Sequence, residues 1–165
     1  MSALLRKLEL GLGHILEAGM VICGLSLALL MVAEVILRYW LELPFLGIEE
    51  VTVLLGLWLY FLSAAYVTRE DAHIRGGIAE LVIRNPVLLD GVRFTGTIVC
   101  LLASCVFFYY AVTYALFTIS TNRASSYLRW PTGFWVASMA VGFVFIVLYF
   151  LLQAIRQWRH LRRLR

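Results

Sequence analysis

The chain has 165 residues, of which 62% are hydrophobic and 15% charged, with a formal net charge of +4. That balance excludes an ordinary soluble domain, whose apolar residues alternate with polar ones at helical or strand spacing, and it fits an integral membrane protein. The length allows one domain, spanning residues 1–165.

Residues 1–17 place Leu4, Leu5, Leu8, Leu12, Ile15 and Leu16 near one helical face. This stretch is either an amphipathic segment lying in the membrane interface or a simple extension of the first spanning helix. The apolar run Ala18–Ala33 follows, about 24 Å of helix by itself and extended by its flanks towards the ~30 Å of a hydrocarbon core. Glu17 interrupts the approach from Arg6 and Lys7, and no small-x-small cleavage site follows before Glu34. The run therefore reads as a retained helix, with a span over about 14–37.

Glu17 and Glu34 are the acids closest to the bilayer. A carboxylate inside a membrane often marks proton coupling. These two stand at opposite ends of the apolar run, so each reaches an interface and the anchoring role is favoured. Glu34 also lies one turn before Arg38, a spacing that allows an ion pair.

The connection Tyr39–Ile48 is short and contains Pro44 and Gly47, which makes the first two spans antiparallel neighbours. The second span, about 49–68, opens with Glu49-Glu50, where the positive helix end favours carboxylates. Two adjacent residues point about 100° apart, so one acid can meet Arg38 while the other faces a partner. Thr52, Gly56 and Ser63 lie near one face of this helix and permit close packing.

Beyond it comes Arg69-Glu70-Asp71-Ala72-His73-Ile74. Asp71 is a candidate N-cap, and Ile74, Ile78, Leu81 and Val82 then recur at helical spacing. Glu80 and Arg84 are one turn apart, and Asn85-Pro86 ends the pattern. The reading is a short amphipathic helix over about 72–85, lying flat on the cytoplasmic face, although Gly76-Gly77 weakens it.

The third span, about 93–119, gathers Phe107, Phe108, Tyr109, Tyr110, Tyr114 and Phe117 towards one half, bulk that suits lipid or a large neighbour. A polar loop with Arg123, Ser125, Ser126 and Arg129 ends in Trp130-Pro131, where proline can open the fourth helix. That last span covers about 132–156. Trp40, Trp130, Trp135 and Trp158 fall near the interfaces, as an aromatic belt requires.

Dividing the basic residues by side gives the orientation. Arg6, Lys7, Arg69, Arg75, Arg84, Arg93, Arg156, Arg159, Arg162, Arg163 and Arg165 fall on one side. Only Arg38, Arg123 and Arg129 fall on the other. The positive-inside rule puts both termini and the middle loop in the cytoplasm. The basic tail reads as a topology and lipid signal rather than a nucleic-acid site.

Cys23, Cys100 and Cys105 lie in spans without a Cys-x-x-Cys. Cys100 and Cys105 are about 140° apart around a helix, so a thiol redox enzyme is disfavoured. His14, His73 and His160 form no pair inside the bilayer and no metal-ligand spacing. No cofactor, metal or catalytic residue is expected, and no broken helix offers a central solute site.

Leu37-Arg38-Tyr39, the Glu49-Glu50 pair, the Trp58–Ala65 segment and Arg69-x-x-x-His73-Ile74 together resemble the small membrane subunit of tripartite ATP-independent periplasmic (TRAP) transporters, the DctQ family. The resemblance covers nearly the whole chain. It implies an inner-membrane protein packed on the stationary scaffold of a large subunit that carries the sodium and solute sites. A periplasmic binding protein would deliver an organic anion to that assembly. Carried onto this chain, Arg38, Glu49, Glu50, Arg69 and His73, with the small positions Gly56 and Ser63, become interface or structural candidates. Position alone makes Arg123 and Arg129 candidates for docking the binding protein. The competing reading is a small homodimeric proton-coupled exporter using Glu17 or Glu34; the lack of a central acid stands against it.

Overall fold

The computed structural model describes residues 3–43, 45–70 and 86–163. These form four helices: α1 Ala3–Tyr39, α2 Gly47–Arg69, α3 Pro86–Ser120 and α4 Gly133–Arg163. All four are long and apolar enough to cross a membrane, and the described residues contain no strand. The helix expected over 72–85, with Asp71 and His73, lies outside the described residues.

In lipid a chain must satisfy its backbone hydrogen bonds internally, so long apolar runs become uninterrupted helices. α1 is the clearest case. Its 37 residues run without a break for about 55 Å, which decides the open question at its start: the lead-in continues the first helix. Pro86 opens α3, where its missing N–H costs nothing. Pro131 does not open α4. It pairs with Ala124 in an isolated bridge; its carbonyl accepts the Phe134 N–H in a tight turn at 3.2 Å, and the i→i+4 ladder begins one residue later, from the Thr132 carbonyl to the Val136 N–H at 3.4 Å.

The helices pack as an open row: α1 on α2, α2 on α4, α4 on α3. Gly13 of α1 lies beside Arg69 of α2, and Asp90 of α3 beside His160 of α4. One end of the row therefore holds the start of α1 and the end of α4. The opposite end holds the connections 40–46 and 121–132.

Lipid tails are as apolar as leucine, so burial alone does not hold such helices together; close contact and hydrogen bonds do. Glycines supply the contact. Gly19 and Gly24 of α1 face Leu62 and Leu59 of α2, while Gly56 of α2 faces Leu27 of α1. α4 packs tightly on α2 at Gly142, against Phe61. The Phe143 ring then bridges outward, with its centroid 5.9 Å from both Phe61 and Phe107. The buried core lies in the half nearer the chain ends: Leu16, Ala65, Ile146, Tyr149 and Phe150.

Hydrogen bonds also fasten α2 to α4. Trp58 Nε1 donates to the Phe134 carbonyl at 3.2 Å, and Gln153 Nε2 donates to the Thr68 carbonyl. Gln153→Met keeps the side-chain volume and removes the second bond. It should lower stability by about 0.5–1.5 kcal/mol, read as an earlier thermal melt in detergent. An unchanged melt would show that the bond contributes nothing.

Candidate functional site

Among the described residues outside the helices, the 121–132 connection holds the densest set of hydrogen bonds. Its start is built by the end of α3. Ser120 Oγ donates to the Phe117 carbonyl, and Thr121 Oγ1 donates to those of Phe117 and Thr118, satisfying carbonyls that a helix end leaves open. Asn122 then takes φ 47°, the left-handed turn that asparagine tolerates. From there the chain doubles back as a small hairpin. The Thr132 N–H and Oγ1 both reach the Arg123 carbonyl, and the Ser125 N–H reaches that of Trp130 at 2.8 Å. Ser125 Oγ accepts the Trp130 N–H at 3.1 Å. Arg129, at φ 56°, holds a backbone conformation that costs a non-glycine residue on the order of 1 kcal/mol.

Glu50 pins this hairpin to α2. Its carboxylate accepts the Tyr127 N–H at 2.9 Å and the Leu128 N–H at 3.0 Å. These two loop amides lie 77 and 78 residues further along the chain.

Arg38 and Glu50 do not meet. Arg38 pairs with Glu34 one turn back, Nη1 to Oε1 at 3.7 Å. The two share a narrow crevice with Glu49, Phe45 and Ile48. Neither acid caps α2 through its side chain: the N-cap position is Leu46, with no side-chain cap bond. Glu49 is exposed in the first turn, where the helix dipole favours its charge. Its side chain has no hydrogen bond or ion pair among the described residues.

Beside the hairpin lies a cavity of about 490 Å³ between the starts of α2 and α4 and the end of α3. Leu46, Val53, Tyr114, Trp135 and Val136 give it an apolar floor; Glu49, Arg123, Ser125 and Ser126 line its polar rim.

The remaining candidates are scattered. Arg69 sits at the far end of α2, its guanidinium over Gly13, with Nη1 3.0 Å from Glu70 Oε1 and the Tyr66 ring 5.8 Å away. Its Nε is buried without a hydrogen-bond partner among the described residues. Gly56 faces α1, whereas the Ser63 hydroxyl is occupied by the Leu59 carbonyl of its own helix at 2.6 Å. Glu17 lies 3.7 Å from His14. His73 is outside the described residues. No group of His, Cys, Asp and Glu able to hold a metal ion occurs among the described residues.

Residues 27–160 match the family described as "Tripartite ATP-independent periplasmic transporters, DctQ component". The chain belongs to the DctQ family. It is a small membrane component of a TRAP transporter, a tripartite system that also contains a large membrane subunit and a periplasmic binding protein. DctQ is a transporter-component family rather than an enzyme family. No curated protein matches the chain. The DctQ match contains Arg38, the Glu49-Glu50 pair, the hairpin and the whole of α2, but not Gly13 or Glu17. Glu50 and its loop amides thus fall together inside the matched region.

Proposed function

We infer that the chain is a multi-pass inner-membrane protein that performs no catalysis and binds no transported solute. It packs on the stationary scaffold of the large TRAP subunit and supports that subunit during sodium-coupled uptake of an organic anion. The observation that carries this reading is the open row. α1 uses one side on α2 and leaves Val21, Ile22, Leu25, Leu29 and Val32 more than half exposed. A helix with a second apolar side left open can seat a further membrane chain, and α1 with α2 is the scaffold-contact candidate.

The charge distribution supports an orientation with the 121–132 end outside, because Arg93, Arg156, Arg159 and Arg162 lie at the opposite end. The hairpin would then face the periplasmic binding protein, held still by Glu50, with Arg123 and Arg129 offered as docking positions. Arg69, Gly13 and His73 would set the geometry at the cytoplasmic end. Glu34 stands beside Arg38 near the end of α1, and Glu17, further back in the same helix, lies beside His14; this separation does not favour a proton-coupled exporter.

Co-expression with the large membrane subunit, followed by pull-down in mild detergent, tests the assignment. Stable co-purification is expected. A chain that dimerises and transports in liposomes without the large subunit would overturn it. Charge reversal at Arg123 and Arg129 together is expected to lower uptake and to weaken its salt dependence, since exposed charges act over about 8–10 Å in physiological salt. Uptake unchanged at every ionic strength would remove both residues from the docking surface.

A further inference from the structure

The cavity beside the hairpin combines features that the family role does not call for. Its lining combines apolar Leu46, Val53, Tyr114 and Val136 with two acids, Glu49 and Glu50, and one base, Arg123. The Glu49 and Arg123 side chains have no ion pair or hydrogen bond among the described residues. Glu50 is engaged by the Tyr127 and Leu128 N–H groups. Opposite charges that line one cavity without pairing are matched to something that carries both signs.

Depth narrows the class of ligand. Trp130 belongs to the hairpin and Trp135 lines the cavity, and tryptophans of this kind sit at the level of the lipid headgroups. The helices around the cavity are the ends of membrane-crossing segments, and α2 and α3 each pack on α4 more than on each other. Val53 of α2 and Tyr114 of α3, which line the space between them, are each more than half exposed. At 490 Å³ the cavity is in the range of small-ligand sites, about 300–1,000 Å³.

We propose that this cavity is a binding site for a zwitterionic glycerophospholipid with a primary ammonium headgroup, a phosphatidylethanolamine. Arg123 takes the phosphate, for which a guanidinium is well suited. The Ser126 hydroxyl on the rim is a further donor. Glu49 takes the ammonium, which donates up to three hydrogen bonds. One acyl chain lies along Val53 and Tyr114. A quaternary ammonium head lacks the N–H donors that Glu49 accepts, and a glycerol head lacks the positive charge. The site is a property of this chain alone and does not rest on the scaffold role.

The test uses the full-length chain in mild detergent, stripped of co-purified lipid. Phosphatidylethanolamine, phosphatidylcholine and phosphatidylglycerol are titrated separately, and bound lipid is counted by native mass spectrometry. Glycerophosphoethanolamine, the headgroup without acyl chains, is a fourth arm. Phosphatidylethanolamine is expected to bind tightest. Glu49→Gln should erase its advantage over phosphatidylglycerol, and Arg123→Gln should weaken all three lipids, each by up to about fivefold for partly exposed charges. Val53→Trp, which narrows the floor and leaves the charges in place, should also weaken binding. Arg159→Gln, at the other end of α4, should change nothing. Equal retention of all three lipids, or binding indifferent to both Glu49→Gln and Arg123→Gln, would overturn the proposal. So would glycerophosphoethanolamine binding as tightly as the intact lipid. Loss of large-subunit recovery in these variants with lipid retention unchanged would assign the cavity to a protein segment and overturn it equally.

Discussion

Replacing Glu50 by alanine is expected to release the 121–132 hairpin from α2 and to depress uptake by the assembled transporter more than any other single change at that end. The carboxylate is the common acceptor for the Tyr127 and Leu128 N–H groups. Removing it leaves backbone N–H groups pointing into the gap that the side chain filled. Arg129 holds a left-handed conformation next to this anchor, and strain of that kind persists only while surrounding structure enforces it. Release of the anchor therefore lets Arg129 relax and moves both docking candidates.

The direct readout is amide hydrogen exchange at Tyr127 and Leu128, which should speed up by roughly tenfold on loss of one hydrogen bond each. Glu50→Gln should fall between wild type and alanine. Its carbonyl oxygen still accepts, but its amide group presents N–H to N–H where the second oxygen stood. Exchange at Tyr127 and Leu128 that is identical in wild type and Glu50→Ala would show that the hairpin holds itself. The anchoring role would then fail even if uptake fell.

The reason that contact was not legible in the sequence is physical. Two adjacent acids at a helix start announce a charge requirement, and the nearest visible cation is Arg38. Arg38 is met instead by Glu34, one turn back on its own helix, a pairing the i,i+4 spacing does reveal. Glu50 then finds backbone donors 77 and 78 residues away. Every residue but proline offers an N–H, so nothing in the composition of Tyr127 or Leu128 marks them as partners.

The four apolar helices, by contrast, are written plainly, because a membrane admits few alternatives to an unbroken helix. The adjacency of α1 and α2 follows from their short connection. The order α1, α2, α4, α3 does not. It depends on which small residues oppose which large ones across interfaces, and Gly142 carries no local sign that Phe61 will sit against it. Pro131 shows the same limit at smaller scale. Proline suits a first helical turn, but the bridge to Ala124 and the double contact of Thr132 with Arg123 hold it outside the helix.

Gly142→Ala is expected to be the most destabilising single-methyl change in the described chain. A Cβ at that position would stand 2.7 Å from the Phe61 Cβ and 3.2 Å from the Phe61 carbonyl oxygen. The second neighbour is backbone, so no side-chain rotation gives relief and the α2 and α4 axes must separate. Separation is resisted on both sides of the contact, by Trp58 bonded to Phe134 and by Gln153 bonded to Thr68. The added methyl must strain one of those bonds or distort its own helix. Overpacking of this kind costs about 1–3 kcal/mol, or about 2–4 °C in melting temperature per kcal/mol for a chain of this size. Phe61→Ala in the same background should not rescue, because the two atoms in the way, the Cβ and the carbonyl oxygen, remain in alanine. Gly96→Ala provides the control, since a Cβ there meets nothing within 4 Å and alanine is the better helix former. If the Gly142 and Gly96 variants melt together at the wild-type temperature, the α2–α4 contact is looser than its geometry implies. A selective drop at Gly142, accompanied by weaker recovery of the large subunit, would make the spacing of this pair a requirement for assembly as well as for the fold.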